Sequence, residues 1–148
     1  MRILLLTAFA ILFGMTAANA AVRNKTVEYK QGDTVCEGYL AWDDAQAGPR
    51  PGILVVHEWM GLGDNVRTRC NMLAELGYIA LGADIYGKGV RPTTMEAAAA
   101  ESGKYRADRA LLRARAQAGL DTLLAQDNVD KSKIAAIGYC FGGMCHGW

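Results

Sequence analysis

The sequence predicts an α/β domain built on a mostly parallel sheet that opens with a hairpin. Two short Thr/Val/Tyr-rich stretches, residues 26–30 and 35–42, flank Gln31-Gly32-Asp33 and give the hairpin. Uninterrupted apolar runs follow at residues 52–57, 78–83 and 134–137, the pattern of strands buried on both faces. Segments with helical spacing separate those runs. Strand, helix and strand in that order form βαβ units and imply parallel pairing.

The elements can be justified in chain order. Residues 1–20 carry Met1-Arg2, an apolar run over 3–15 and Ala18-Asn19-Ala20 before Ala21, the three zones of a secretory signal. The apolar core is shorter than the roughly 20 residues of a membrane-spanning helix. Cleavage is therefore expected after Ala20, leaving residues 21–148 as one secreted or periplasmic domain without a stable membrane anchor. After the hairpin, Gly48, Pro49 and Pro51 break the pattern ahead of the first buried run.

A glycine-containing loop over residues 60–64 leads to Val66, Cys70, Leu73 and Leu76 at helical spacing, with Asp64 as the expected N-cap and Gly77 as the stop. The second buried run passes into the loop Asp84-Ile85-Tyr86-Gly87-Lys88-Gly89. Residues 95–125 are rich in alanine and arginine, with a break expected near Gly103 and Leu112, Ala116, Leu120 and Leu123 on one face. The arginines there read as a solvated face. A turn over 127–131 precedes the third buried run.

Composition narrows the function. Sixteen Lys+Arg against fifteen Asp+Glu leave no global field that would draw the chain to nucleic acid, and losing Arg2 with the leader makes the two equal. Cys36, Cys70, Cys140 and Cys145 lack the paired spacing of a structural zinc site, so no metal is expected. In an oxidising compartment a disulfide among them is open, with no pairing assignable. Neither a P-loop nor a dinucleotide fingerprint is present, and no cofactor is expected.

The chemistry concentrates at Gly138-Tyr139-Cys140-Phe141-Gly142-Gly143. A buried strand running into G-x-C-x-G matches the nucleophile elbow, with cysteine in place of serine. So tight a strand-to-helix turn holds the nucleophile in an unusual backbone conformation. Gly138 and Gly142 remove side chains that would collide with the neighbouring strand and helix. Cys140 would then stand at a helix N-terminus, where free N–H groups favour a thiolate and an oxyanion.

With His57-Glu58-Trp59-Met60-Gly61-Leu62 after one strand, Ala83-Asp84-Ile85-Tyr86-Gly87 after the next, and the elbow after the third, the chain resembles the dienelactone hydrolase (carboxymethylenebutenolidase) family of α/β-hydrolases. The resemblance covers about residues 22–143. It implies the N-terminal part of an α/β-hydrolase fold, incomplete after the elbow. It also implies that Cys140 is the nucleophile attacking a small ester or lactone, and that Glu58 contacts the thiol and helps to activate it. A solvated loop carboxylate is the other reading of Glu58. The backbone N–H groups of Trp59 and Phe141 would form the oxyanion hole. His57 precedes that loop and reads as structural, because the family's catalytic histidine comes late in the chain.

The family's Asp and His follow the nucleophile by several tens of residues, whereas this sequence ends eight residues after Cys140. No Asp follows Cys140, and His146 lies more than one helical turn beyond it. The expectation is a C-terminally truncated chain with impaired hydrolysis, whose last strand would be left as an apolar edge. An inactive fragment and a non-hydrolytic thiol binding or redox module are the competing readings.

Overall fold

The computed structural model describes residues 21–145, the side chain of Cys145 excepted. The expected leader over residues 1–20 lies outside the described residues, as does His146. Strands β1 (Val22–Gln31) and β2 (Thr34–Asp43) form the hairpin, closed at Gly32-Asp33, with Gly32 at a positive φ of 56°. Then come β3 (Arg50–Val56), α1 (Asp64–Glu75), β4 (Ile79–Ala83), α2 (Met95–Ala107), α3 (Arg109–Leu124), β5 (Val129–Gly138) and a 3-10 helix, Cys140–Cys145. The sheet order is β1-β2-β4-β3-β5. Antiparallel pairing is confined to the hairpin and its junction with β4: β3 pairs in parallel with both β4 and β5.

The apolar run of β3 is explained by two helical layers. Ile53 and Val55 face α1 and pack with Val66, Cys70 and Ala74, while Leu54 and Val56 face α3 and pack with Leu112, Ala116 and Leu123. Alternate side chains of one strand thus enter opposite cores, so neither parity can be polar. Each such aliphatic side chain contributes roughly 1.5–3 kcal/mol by leaving water.

Helix α1 starts one residue away from the expected cap. Gly63 occupies the N-cap and caps with no side chain, and Asp64 is the first helical residue, where its carboxylate favours the positive end of the helix dipole. The stop is as expected. Gly77 takes φ 93°, its N–H donates to Ala74 O and the Tyr78 N–H donates to Leu73 O, a paired closure that requires a left-handed residue.

Two further expectations are corrected. The long alanine-rich segment breaks at Asp108 rather than at Gly103, which lies inside α2. The Asp108 side chain accepts from the Leu111 N–H at 2.9 Å and starts α3, a role a short carboxylate performs well and a glycine without a side chain does not. Nor are all the arginines of α3 solvated. Arg115 is buried, donating from Nη2 to Thr34 Oγ1 at 2.6 Å and from Nη1 to Gln31 O at 3.0 Å, which ties α3 to the hairpin turn.

Strand β5 also begins earlier than expected, at Val129, within the predicted turn. Its register against β3 shifts between Pro51 and Gly52, which pair with Asp130 and Ile134, so residues 131–133 bulge out. It occupies the edge of the sheet, and Ala135 and Ala136 are exposed. Leu54, Leu120, Ile134 and Ala136 line an apolar groove of about 350 Å³ between β5 and α3. No helix among the described residues is long and apolar enough to cross a membrane.

Candidate active site

Parallel strands β3, β4 and β5 deliver three loops to the same end of the sheet. Val56 pairs with Gly138 and with Ala83, so the segments that begin at His57, Asp84 and Tyr139 start side by side. The residues given catalytic or oxyanion-hole roles from the sequence, Glu58, Trp59, Cys140 and Phe141, lie in the first and third of these loops.

The third loop is an elbow in its geometry. Cys140 has φ 51°, the one non-glycine residue at positive φ among those described, and its side chain is exposed. Such a conformation persists only when the surroundings enforce it. Here a Cβ on Gly138 would stand 2.1 Å from Gly142 O, and one on Gly142 would stand 2.5 Å from Val56 O. Both obstacles are backbone, so no rotamer change relieves them. The turn is pinned by Gly142 N–H donating to Tyr139 O at 2.8 Å and Tyr139 N–H donating to Val56 O at 3.2 Å. The helix that starts at Cys140 is of the 3-10 type over Cys140–Cys145.

His57 supports this arrangement from within. It is wholly buried, its Nδ1 meets Glu58 O at 2.6 Å, and its Nε2 lies 3.2 Å from the Ile85 backbone nitrogen. Since Ile85 N–H can only donate, Nε2 is the acceptor and Nδ1 carries the proton. Desolvation pushes the imidazole pKa down to about 4, against a smaller upward pull from the Glu58 carbonyl. Both nitrogens are spent on main-chain partners, so His57 is a strut and not a proton carrier. Its ring stacks on Phe141 with centroids 5.8 Å apart and meets Tyr86 edge-on at 4.7 Å.

Glu58 and Trp59 follow directly, both half-buried. The Glu58 carboxylate accepts from Asn65 Nδ2 in the first turn of α1, and Gly61 N–H donates to Glu58 O at 3.1 Å, closing the loop. Tyr86 Oη donates to Trp59 O at 2.8 Å, which fixes the peptide that follows Trp59. Among the described residues, no carbonyl outside their own elements accepts from the Trp59 or the Phe141 N–H.

Sequence reasoning used the middle loop for the resemblance but gave its residues no role; in the fold it braces the first loop, through Ile85 N–H on His57 and Tyr86 Oη on Trp59 O. Asp84 is fully buried: Oδ2 accepts from Glu37 N–H at 2.9 Å, and Oδ1 accepts from Gly87 N–H at 3.1 Å and from Arg91 Nη1 at 3.3 Å. Tyr105 Oη donates to Tyr86 O at 3.3 Å, adding α2 to the same network. The Ala83-Asp84-Ile85-Tyr86-Gly87 string carried this signal, since a buried carboxylate in a loop must be answered by donors.

The thiols differ sharply in setting. Burial pushes the Cys70 thiol up to about 12 and raises that of Cys36 too, whereas Cys140 stands in solvent at the elbow. Cys36, Cys70 and Cys140 are free thiols, and among the described residues no group of His, Cys, Asp and Glu converges as a metal site.

Residues 36–146 match the model of the dienelactone hydrolase family. The chain belongs to that family. A relative named "Putative carboxymethylenebutenolidase" in Methylorubrum extorquens is 30% identical over 135 residues, covering 86% of this chain and 44% of its own. The solved structure of m3DLH superposes with a TM-score of 0.80 at 45% identity, covering 83% of this chain and 51% of that one. A dienelactone hydrolase-like promiscuous phosphotriesterase from metagenomic libraries gives the same TM-score of 0.80 at 44% identity, covering 84% and 52%. The chain thus spans about half the length of the relatives it matches. The sheet, hairpin and helices are accordingly those of the N-terminal part of an α/β-hydrolase fold.

Proposed function

We propose that these residues supply the nucleophile and the oxyanion donors of a hydrolase that cleaves small carboxylic esters or lactones through Cys140. The observation that carries this reading is Cys140 itself: an exposed thiol at φ 51°, between two glycines that backbone atoms keep bare. The Cys140 thiolate attacks the carbonyl carbon, the carbon–sulfur bond forms, and the carbonyl electron pair moves onto oxygen. N–H groups of Trp59 and Phe141 hold that oxyanion. Its collapse expels the alcohol oxygen, which takes a proton, and leaves a thioester. Water then cleaves the thioester and regenerates the thiol. Glu58, on the loop beside the elbow, takes part in activating the thiol.

The acid–base partners of the family pattern, a late Asp and His, have no counterpart among residues 141–148, where His146 is the one titratable nitrogen ring. The relatives named above include one titled a phosphotriesterase, and an ester of phosphorus presents a comparable electrophile to the same thiol.

Incubation with p-nitrophenyl acetate tests the reading. The expected result is nitrophenol release with an acetyl thioester on the Cys140 peptide, detected by mass spectrometry, and loss of both in Cys140→Ala. Release that persists unchanged in Cys140→Ala would overturn the role of this thiol. Iodoacetamide should label Cys140 ahead of Cys36 and Cys70 at neutral pH.

A further inference from the structure

The opposite end of the sheet holds a cleft that the proposed hydrolysis does not use. Arg50 opens β3, Ile79 opens β4, and Asp127 precedes β5, so the cleft lies at the N-terminal ends of the strands whose C-terminal ends carry the elbow. Strands of five to seven residues separate the two places by about 20 Å. The cleft measures about 220 Å³ and is lined by Lys25, Leu40, Trp42, Arg50, Ile79 and Asp127 among others.

Arg50 sets the charge of this cleft. It is 5% exposed, yet no carboxylate among the described residues lies within ion-pair distance of it. Its Nη1 donates to the main-chain carbonyl of Asp43, and its Nε is buried with no partner. The nearby Asp43 carboxylate accepts from Ala45 N–H at 2.9 Å and from Gln46 Nε2 at 3.0 Å, bonds that together with the more distant Arg50 charge hold its pKa low without a direct ion pair. A guanidinium is a rigid fork of donors that stays charged at any ordinary pH, and burying it without an anion is costly.

The remaining lining suits an anion with a flat apolar body. Lys25, exposed on β1, places Nζ 5.8 Å from the centroid of the Trp42 ring. The lining carries two cations against the carboxylate of Asp127, and the Asp43 carboxylate also feels the Arg50 charge, so the cleft suits a singly charged anion rather than a dianion. Leu40 and Ile79 belong to the core beneath and supply an apolar floor, and Trp42 presents an aromatic wall packed against that core.

We propose that this cleft binds a small monocarboxylate with a planar or aliphatic body, its carboxylate between Arg50 and Lys25 and its body against Trp42. The site is separate from the elbow and does not depend on the hydrolytic reading.

Titration of the whole chain with sodium benzoate, with benzamide as the neutral isostere at matched ionic strength, tests it by calorimetry and by the shift in melting temperature. Benzoate should bind saturably at one site and raise the melting temperature, while benzamide should do neither. Lys25→Glu alters an exposed strand residue and leaves the core intact, so it should fold and weaken benzoate by about tenfold or more through one reversed charge. Cys140→Ser should bind benzoate as the unmodified chain does. Equal effects of benzoate and benzamide, undiminished binding in Lys25→Glu, or loss of binding in Cys140→Ser would each overturn the proposal, the last by moving the anion to the elbow.

Discussion

Strands β3 and β5 lie side by side, run parallel, and each ends in a loop of the candidate active site, yet their surroundings differ. In β3, Leu54, Val55 and Val56 are at most 1% exposed, because β4 and β5 cover both edges and α1 and α3 cover both faces. In β5 the paired residues Ala135 and Ala136 are exposed and Ile137 is half-buried, since among the described residues β3 is its one partner in the sheet. The loop after the enclosed strand is held by His57 and by Tyr86 from the next loop. The elbow after the edge strand is held by backbone contacts to β3 itself. The loop carrying Cys140 thus takes its rigidity from its neighbour, and burial of β3 stabilises both.

The largest test of that dependence is Gly142→Ala. Its Cβ would meet Val56 O at 2.5 Å, and a backbone oxygen cannot swing aside as a side chain can. A loss of about 4 kcal/mol or more in urea unfolding is expected, together with loss of Cys140 acylation. A variant that kept its stability would show that β3 does not hold the elbow.

Truncation inside the two strands comes next. Leu54→Ala should cost about 3 kcal/mol, as for other enclosed leucines, whereas Ala136→Ser should stay within about 0.5 kcal/mol. Similar losses in the two variants, read from unfolding midpoints, would erase the distinction between enclosed and edge strand.

Acid sensitivity should also belong to the β3 side. Burial holds the His57 pKa at about 4, below the ordinary value of 6.5, so the unfolded chain takes up this proton first as the pH falls. The contribution is fully present above about pH 6.5 and is lost progressively towards pH 4, amounting to about 3 kcal/mol. At the start of β5, hydrogen bonds from Ser132 and Lys133 hold the Asp130 carboxyl at about 2, below that window. Unfolding followed from pH 7.5 to about pH 4.5 should therefore show a slope that flattens in His57→Gln.

The smallest effect serves as the counterpart to Gly142. Gly103 sits within α2, and a methyl group added there would have nothing within 4 Å, so Gly103→Ala should raise stability by about 0.5–1 kcal/mol. A loss instead, seen as a lowered melting temperature, would mean that glycines in this chain matter for reasons other than crowding.

Much of this was legible beforehand. The element order, the hairpin and the elbow position follow from local patterns: period-two alternation, apolar runs, and G-x-C-x-G after a strand. These patterns reflect sterics within a few residues, which the chain states directly. Glu58, Trp59 and Phe141 were assigned roles through the resemblance alone, and the fold brings their segments beside that of Cys140 through the pairing of Val56 with Gly138.

What the tertiary structure alone decided involves partners distant in sequence. The apolar run over 134–137 reads as buried on both faces like that over 52–57, whereas Ala135 and Ala136 are exposed, because among the described residues β5 has β3 alone beside it. Arg115 reads like its solvated neighbours, and it turns inward because Gln31 and Thr34 present oxygens more than eighty residues away. The buried answer to Asp84, from Glu37, Gly87 and Arg91, and the hold of Tyr86 on Trp59 are likewise hydrogen bonds that only the folded chain brings together. The sequence by itself determined where Cys140 stands and why glycines flank it, since those constraints are local. Which loops grip that turn, and that Arg50 and Arg115 are buried with no carboxylate among the described residues at ion-pair distance, was decided by folding, because a donor's partner is whatever the packed chain brings within reach.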